Sequence, residues 1–131
     1  MANRSPDWLV QAERNLAQAR DSAAADRHEW ACFAAQQAAE MAVWALHLFL
    51  GQEAWGHVVR RLLEQLPASV TVPADLLDRA RVLDAYYVPT RYPNGHPAGP
   101  PGEHYGPLQS EEAIRYAGQI VDFCRTQMAS A

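Results

Sequence analysis

Apolar residues recur at helical spacing in five segments of this chain. The segment over residues 28–50 is apolar on almost every side and is followed by Gly51. A helix with one wetted face has a single apolar stripe, whereas a helix that is apolar all round is enclosed by others. Its many alanines favour a helix, and Phe33, Met41 and Trp44 add bulk at helical spacing. We therefore predict that this segment is the central helix of a bundle.

Four further segments show helical periodicity. We predict helices over residues 5–23, 57–66, 72–88 and 110–128. Ser5, Asp26 and Ser110 are the predicted N-caps, because their side chains can accept hydrogen bonds from the free N–H groups of a first helical turn. The pattern predicts an all-α, up-and-down bundle of four to five helices in one domain, residues 1–131.

Residues 89–107 interrupt this pattern directly before the last helix. The stretch reads PTRYPNGHPAGPPGEHYGP, and its prolines and glycines prevent regular structure. A loop of this length in a compact domain is more often functional or disordered than idle. We therefore predict one long loop rich in proline and glycine and look for function within it.

The charge of the chain restricts how it could hold nucleic acid. The formal net charge is −4, and all 11 basic residues are arginines. Proteins that bind nucleic acid mainly through phosphates carry a basic excess. Any contact with nucleic acid must therefore come from a local patch or from a cleft between two protomers.

Compartment and membrane association follow from composition. The chain has no charged segment followed by an apolar one of the kind that opens a signal peptide. Polar residues such as Glu29, Gln36 and His47 interrupt residues 28–50, so we do not predict a membrane span. Cys32 and Cys124 lie on apolar helical faces, which is typical of small buried side chains in a reducing compartment. We expect a cytoplasmic protein without a membrane partner.

The loop contains a pair of residues suited to phosphodiester chemistry. Arg91 and His96 are separated by four residues. A guanidinium can neutralise charge that develops on phosphate oxygens, and an imidazole can move a proton near neutral pH. The alternative, which the pattern alone favours, is that Arg91 pairs with a carboxylate and His96 is simply exposed.

Buried polar groups are expected on the central helix. Gln36 and Glu40 lie one turn apart there, with Gln37 beside them. We expect a hydrogen-bonded network that ties a loop or a partner to the core; the alternative is a direct role in the site. His57 is expected to cap or orient the third helix. No spacing typical of a metal site is present, so we predict neither a metal nor a cofactor.

Three stretches resemble the HEPN family (higher eukaryotes and prokaryotes nucleotide-binding domain). They are WACFAAQQAAEMAVWAL over residues 30–46, WGHVVRRLLEQL over 55–66, and LDAYYVPTRYPNGHPAG over 83–99. The resemblance covers nearly the whole chain and is closest to short, stand-alone prokaryotic members. It implies a helical bundle that forms a homodimer, and a minimal nucleotidyltransferase as partner in a toxin–antitoxin-like pair. It also implies a ribonuclease whose motif of arginine, four to six residues and histidine lies at a cleft between protomers; Arg91 and His96 match that spacing.

The chain departs from the family pattern at three places. Toxin members often have a tyrosine two residues after the histidine, where this chain has Ala98. Lysines tend to follow the central glutamate in the family, and here Met41 and Trp44 stand there. The ribonuclease motif usually lies on a helix or its edge, whereas Arg91 and His96 lie in a proline-rich loop.

Three hypotheses follow. The first is a dimeric, metal-independent endoribonuclease in which Arg91 holds the phosphate, His96 is the acid/base and Glu40 orients the site. The second is a non-catalytic module that binds a nucleotide or docks a nucleotidyltransferase, with Arg91 on a phosphate and tyrosines stacking. The third is a scaffold dimer whose loop closes the interface. The residues expected to contact RNA or a nucleotide are Glu40, Tyr87, Tyr92 and Asn94.

Overall fold

Five α-helices form at the five periodic segments. The computed structural model describes residues 3–130, with α1 at Ser5–Ala24, α2 at His28–Phe49, α3 at Val59–Glu64, α4 at Ala74–Asp84 and α5 at Pro107–Ala129. The loop between α4 and α5 contains two short 3₁₀ turns, Pro93–Gly95 and Pro101–Glu103. The predicted all-α bundle is confirmed, although α3 is shorter than predicted and α5 begins three residues earlier.

The α2 helix is the centre of the bundle, as its pattern predicts. It contacts each of the other four helices. Small side chains line these contacts and are fully buried, which lets helix axes approach closely; on α2 they are Ala31, Ala35, Ala38, Ala39, Ala42 and Ala45. The helix ends where Gly51 adopts a φ of +76°, a left-handed conformation that glycine adopts without strain.

The three predicted N-caps are wrong, each for a local reason. Ser5 lies inside α1, and its N–H donates to the Asn3 side-chain oxygen at 2.8 Å. The Asp26 carboxylate turns instead to the His28 imidazole, 2.9 Å from Nε2. Pro107 occupies the first turn of α5 and starts the helix early, because its fixed φ suits that position. Ser110 is therefore buried within the helix, 2.8 Å from Nδ1 of His28.

Hydrogen bonds fix α3 between α2 and α4. Nε2 of the buried His47 on α2 lies 2.8 Å from the carbonyl oxygen of Leu62 on α3. At the start of α3, the N–H groups of Val59 and Arg60 donate to the two carboxylate oxygens of Asp84, at 2.7 and 3.2 Å. These bonds satisfy donors that a helix N-terminus leaves free, and they bring the end of α4 to the segment that precedes α3.

Two further observations bear on the sequence predictions. No helix in the described range, residues 3–130, combines the length and the apolar character that crossing a membrane requires. Cys32 and Cys124 are buried and not joined in a disulfide. Burial, with a smaller contribution from Glu29, raises the pKa of the Cys32 thiol to about 12, so this thiol is protonated and unreactive at neutral pH.

Candidate functional site

Arg91 lies in a cage of aromatic rings just beyond α4. Its Cζ is 4.4 Å from the ring centroid of Phe33, 4.8 Å from that of Tyr87 and 5.2 Å from that of Tyr92. Its Nε donates to the Tyr87 carbonyl oxygen at 2.8 Å. Cation–π contacts of this kind hold a guanidinium without neutralising it.

The charge of Arg91 is not offset by a direct ion pair. Among residues 3–130, no carboxylate oxygen lies within 4.0 Å of its guanidinium, whereas arginines such as Arg60 and Arg125 have such partners. The expectation that Arg91 pairs with a carboxylate is therefore wrong. Because Nε is the one guanidinium nitrogen that is hydrogen-bonded within residues 3–130, the terminal nitrogens can receive an anion with fork geometry.

The loop around Arg91 is fixed by its own backbone and by one glycine. The Thr90 hydroxyl donates to the Tyr86 carbonyl oxygen at 2.6 Å, and the Arg91 N–H donates to that of Val88 at 3.1 Å. A Cβ on Gly95 would lie 2.9 Å from Cα of Pro89, so only glycine permits this approach. The proline-rich stretch is thus folded on itself, which fixes the backbone that carries Arg91.

His96 is engaged by other parts of the loop. Its Nε2 lies 2.7 Å from the Pro89 carbonyl oxygen, and its ring is parallel to that of His104, with centroids 4.1 Å apart. A carbonyl only accepts, so Nε2 carries the proton and Nδ1 has the lone pair. In the described chain, Arg91 and His96 share neither a hydrogen bond nor a ring contact.

A second imidazole, that of His57, lies beside the arginine cage. The His57 ring stacks on Tyr87 with centroids 4.7 Å apart and an interplanar angle of 16°. Its Nδ1 is 3.1 Å from Oε1 of Glu40. Glu40 is almost completely buried, while 57% of the His57 side chain is exposed.

Gln36 completes the expected network on α2. Its amide nitrogen donates to Oε1 of Glu40 and to the carbonyl oxygen of His57, both at 3.2 Å, and its oxygen accepts from Gln37 at 2.7 Å. These bonds tie the segment before α3 to the central helix, as the sequence predicts for these buried polar groups.

The predicted site residues are therefore only partly brought together. Arg91, Tyr87 and Tyr92 are in contact, and Glu40 joins them through His57. Asn94 is exposed in the first 3₁₀ turn. Phe33, His57 and Asp84 are additional residues of this region. The spacing of Phe33, Gln37 and Glu40 places them on one helical face, and this signal could have identified Phe33. The start of α3 is bound by Asp84 and not, as the sequence led us to expect, by His57. No local pattern predicts this role of Asp84.

Asp84 adds a second carboxyl group to this region. Burial raises the pKa of Asp84 above its usual value, and nearby Glu40 raises it further, whereas hydrogen bonds from the N–H groups of Arg60 and Val59 oppose the shift. Within the described residues, no group of three or more His, Cys, Asp or Glu side chains is placed to hold a metal ion.

A groove of about 720 Å³ adjoins the arginine cage. It runs between α1 and α2, and Phe33, which contacts Arg91, also lines it. Trp30, 47% exposed, packs its ring edge to face with Phe33 at 6.2 Å, and Arg27 and Gln37 supply polar groups. The groove therefore offers aromatic surface that it shares, through Phe33, with the arginine cage.

Comparison with known proteins places this geometry in context. The model of the HEPN domain family matches residues 5–127. The structure of TT1696 from Thermus thermophilus is 53% identical, with a TM-score of 0.94 over 95% of this chain and 98% of that one. ST0689, an archaeal HEPN homologue, is 38% identical, with a TM-score of 0.83 over 97% and 99%.

A third solved structure agrees with these two. It is a HEPN domain protein, TM0613 from Thermotoga maritima, which is 30% identical with a TM-score of 0.78 over 95% of this chain and 99% of that one. A search of curated proteins finds no match.

Proposed function

The chain belongs to the HEPN family, and we propose that it binds single-stranded RNA at Arg91 and cleaves the bound phosphodiester without a metal ion. The observation that supports this most is the arginine itself. Its guanidinium is held by three aromatic rings and one carbonyl oxygen, and it has no carboxylate partner among the described residues.

The arrangement favours a phosphate attached to a nucleoside over a small anion. Tyr92 is 49% exposed beside the guanidinium, and the groove at Phe33 and Trp30 offers further aromatic surface. Bases of single-stranded nucleic acid stack on aromatic rings with little sequence preference, while a cation contacts the backbone. A local site of this kind can bind nucleic acid without a basic surface, so it is compatible with the net charge of −4.

Cleavage requires a group that moves protons beside the phosphate. The family motif assigns that role to His96, which remains a prediction, and Glu40 is proposed to orient the site through its hydrogen bonds. A guanidinium placed where charge develops in the transition state contributes about 10²–10³ in rate in comparable sites. Removal of the Arg91 charge should therefore affect cleavage strongly.

The test is cleavage of a mixed RNA pool by the purified protein in excess EDTA. We expect 2′,3′-cyclic phosphate and 5′-hydroxyl ends, and a loss of about 10²-fold or more in Arg91→Ala. Arg81→Ala is the matched control, because Arg81 is an exposed arginine of α4 whose guanidinium pairs with Asp78. Equal cleavage by both variants would exclude the role of Arg91, and no cleavage by the wild-type protein would exclude the activity itself.

The second candidate is a non-catalytic module that binds a nucleotide or docks a minimal nucleotidyltransferase. The separation of Arg91 and His96 favours it, as does Ala98 at the position of the family's modified tyrosine. It predicts RNA or nucleotide binding that depends on Arg91 with no cleavage. Homodimer formation and the nucleotidyltransferase partner are part of both proposals, and light scattering of the purified protein, alone and mixed with a co-encoded nucleotidyltransferase, tests them.

A further inference from the structure

We propose that His57, held by the buried Glu40, is the residue that transfers the proton at the Arg91 site. This inference rests on the proposed RNA cleavage and assigns its acid/base chemistry to a histidine outside the Arg-x4-His motif. Three observations support it: the hydrogen bonding of His57, its exposure, and the aromatic ring that it shares with Arg91.

The hydrogen bond to Glu40 fixes which nitrogen of His57 is available. Oε1 of Glu40 is 3.1 Å from Nδ1, and an ionised carboxylate can only accept, so Nδ1 carries the proton. In the neutral imidazole, Nε2 therefore has the lone pair that a general base needs. A carboxylate that holds an imidazole in one tautomer and stabilises the imidazolium is a recurrent arrangement in hydrolytic sites.

Glu40 is buried and His57 is exposed, as the proposed role requires. Glu40 is only 6% exposed, whereas 57% of the His57 side chain is exposed. Gln36 donates to both the Glu40 carboxylate and the His57 carbonyl oxygen, and Trp44 donates to the carbonyl oxygen of the preceding Gly56 at 3.2 Å. The backbone and the ring of His57 are thus both fixed by hydrogen bonds, while more than half of the side chain is open to solvent.

Tyr87 brings this imidazole to the arginine. The His57 ring centroid lies 4.7 Å from that of Tyr87, and Cζ of Arg91 lies 4.8 Å from the same centroid. One tyrosine ring therefore contacts both the guanidinium and the imidazole. His96 has no equivalent connection, because its Nε2 and its ring face are occupied by Pro89 and His104.

The reaction follows from this placement. Nε2 of His57 accepts the proton of a ribose 2′-hydroxyl while that oxygen forms a bond to the adjacent phosphorus, whose non-bridging oxygens face Arg91. The bond from phosphorus to the 5′-oxygen breaks, and this oxygen keeps the electron pair and takes a proton from water. The imidazolium returns its proton to the hydroxide left behind, which gives a 2′,3′-cyclic phosphate and a 5′-hydroxyl.

The experiment compares substitutions that keep each hydrogen bond and remove each imidazole. In His57→Asn the amide nitrogen takes the place of Nδ1 and still donates to Glu40. In His96→Gln and His104→Gln the amide nitrogen takes the place of Nε2 and still donates to a loop carbonyl oxygen. Each is assayed for RNA cleavage in EDTA, with the melting temperature as a check on folding and Arg91→Ala as the reference for loss of the site.

We expect His57→Asn to lower cleavage by about 10²–10⁴-fold, the usual contribution of general acid–base catalysis, with an unchanged melting temperature. His104→Gln should match the wild type. Free imidazole should restore part of the activity of His57→Gly, which loss of a structural contact would not allow. Glu40→Gln, which alters a positioning residue, should lower kcat with little change in KM.

Two outcomes separate the role of His57 from the activity itself. Cleavage by His57→Asn within tenfold of the wild type, or by His57→Gly without response to imidazole, would exclude His57 as the proton-transfer residue while the RNA cleavage at Arg91 stands. If the wild-type protein does not cleave, the proposed activity itself is wrong and this role for His57 falls with it.

Discussion

The two sides of the central helix differ in what holds them together. Toward α1 and α5, α2 presents fully buried alanines against small and apolar side chains such as Ala12, Ala117 and Ile120. Toward α3, α4 and the loop, it presents the buried side chains of Gln36 and Glu40. Both are hydrogen-bonded to His57. The first side depends on packing and the second on polar geometry, so stability and activity should respond to different substitutions.

The largest effect on stability is expected from the packed side. Leu46 is fully buried in α2, and Leu46→Ala should lower the free energy of unfolding by about 2–5 kcal/mol, because methylene groups are lost and a cavity remains. Denaturant unfolding measures this. Leu108→Ala is the control, since Leu108 is 81% exposed and should change the free energy by no more than about 0.5 kcal/mol. Equal losses would show that the core lies elsewhere.

The groove between α1 and α2 should respond in RNA binding rather than in stability. Trp30 is 47% exposed beside Phe33 and lines the groove next to Arg91. Trp30→Ala should weaken single-stranded RNA binding by about 1–3 kcal/mol, the value of one base stacked on an aromatic ring, with little loss of stability. Fluorescence anisotropy measures this, with Val10→Ala, an exposed change on α1, as control. Unchanged affinity would exclude the groove, and a changed oligomeric state would show that it contacts a second copy of the chain.

Asp84 is a half-buried carboxyl group that accepts hydrogen bonds from the start of α3. Asp84→Ala should cost about 1 kcal/mol, because the first N–H groups of α3 lose their acceptor. Burial raises the pKa of Asp84, so the folded state holds this proton more tightly than the unfolded state. The contribution of the wild-type carboxyl is therefore greatest at pH values below its usual pKa and declines as the pH rises through the raised value.

The measurement is the difference in unfolding free energy between the wild type and Asp84→Asn as a function of pH. The asparagine keeps an acceptor and does not titrate. The wild type should therefore lose stability relative to Asp84→Asn as the pH rises from about 4. A difference that moves in the opposite direction would contradict the burial of this carboxyl.

The smallest effect is expected at Tyr86. Burial, the largest cause, raises the pKa of its phenol to about 12, so the folded state favours the protonated form. Its contribution to stability should be complete below pH 10 and lost as the pH rises from about 10 to 12. Ultraviolet titration of the wild type and Tyr86→Phe should show that the substitution removes a tyrosine transition near pH 12; loss of a transition near pH 10 instead would contradict it.

The sequence predicts the packed side far better than the polar side. Residues 28–50 identify α2 because apolar side chains on every face require neighbours on every face. The predicted helix starts are wrong at Ser5, Asp26 and Ser110. A nearby asparagine accepts from the backbone of Ser5, a histidine binds the carboxylate of Asp26, and a proline starts the last helix before Ser110. Such contacts depend on distances that periodicity does not encode.

The site shows the same limit. The spacing of Arg91 and His96 gives one residue of the arginine cage, but residues distant in sequence complete it. Phe33 comes from α2 and His57 from the segment before α3. Their convergence on Tyr87 follows from how α3 and α4 pack against α2, which involves the bonds at Asp84 and His47 and has no local signature.

One binding measurement tests whether Arg91 is a phosphate ligand. A single-stranded 2′-O-methyl RNA cannot be cleaved through its 2′-position, so its affinity reports binding alone. We expect Arg91→Ala to weaken binding at least tenfold relative to Arg81→Ala and to reduce the slope of log affinity against log salt by about 0.7, the value for one phosphate contact on a single strand. Equal affinity and equal salt dependence in the two variants would show that Arg91 does not bind phosphate.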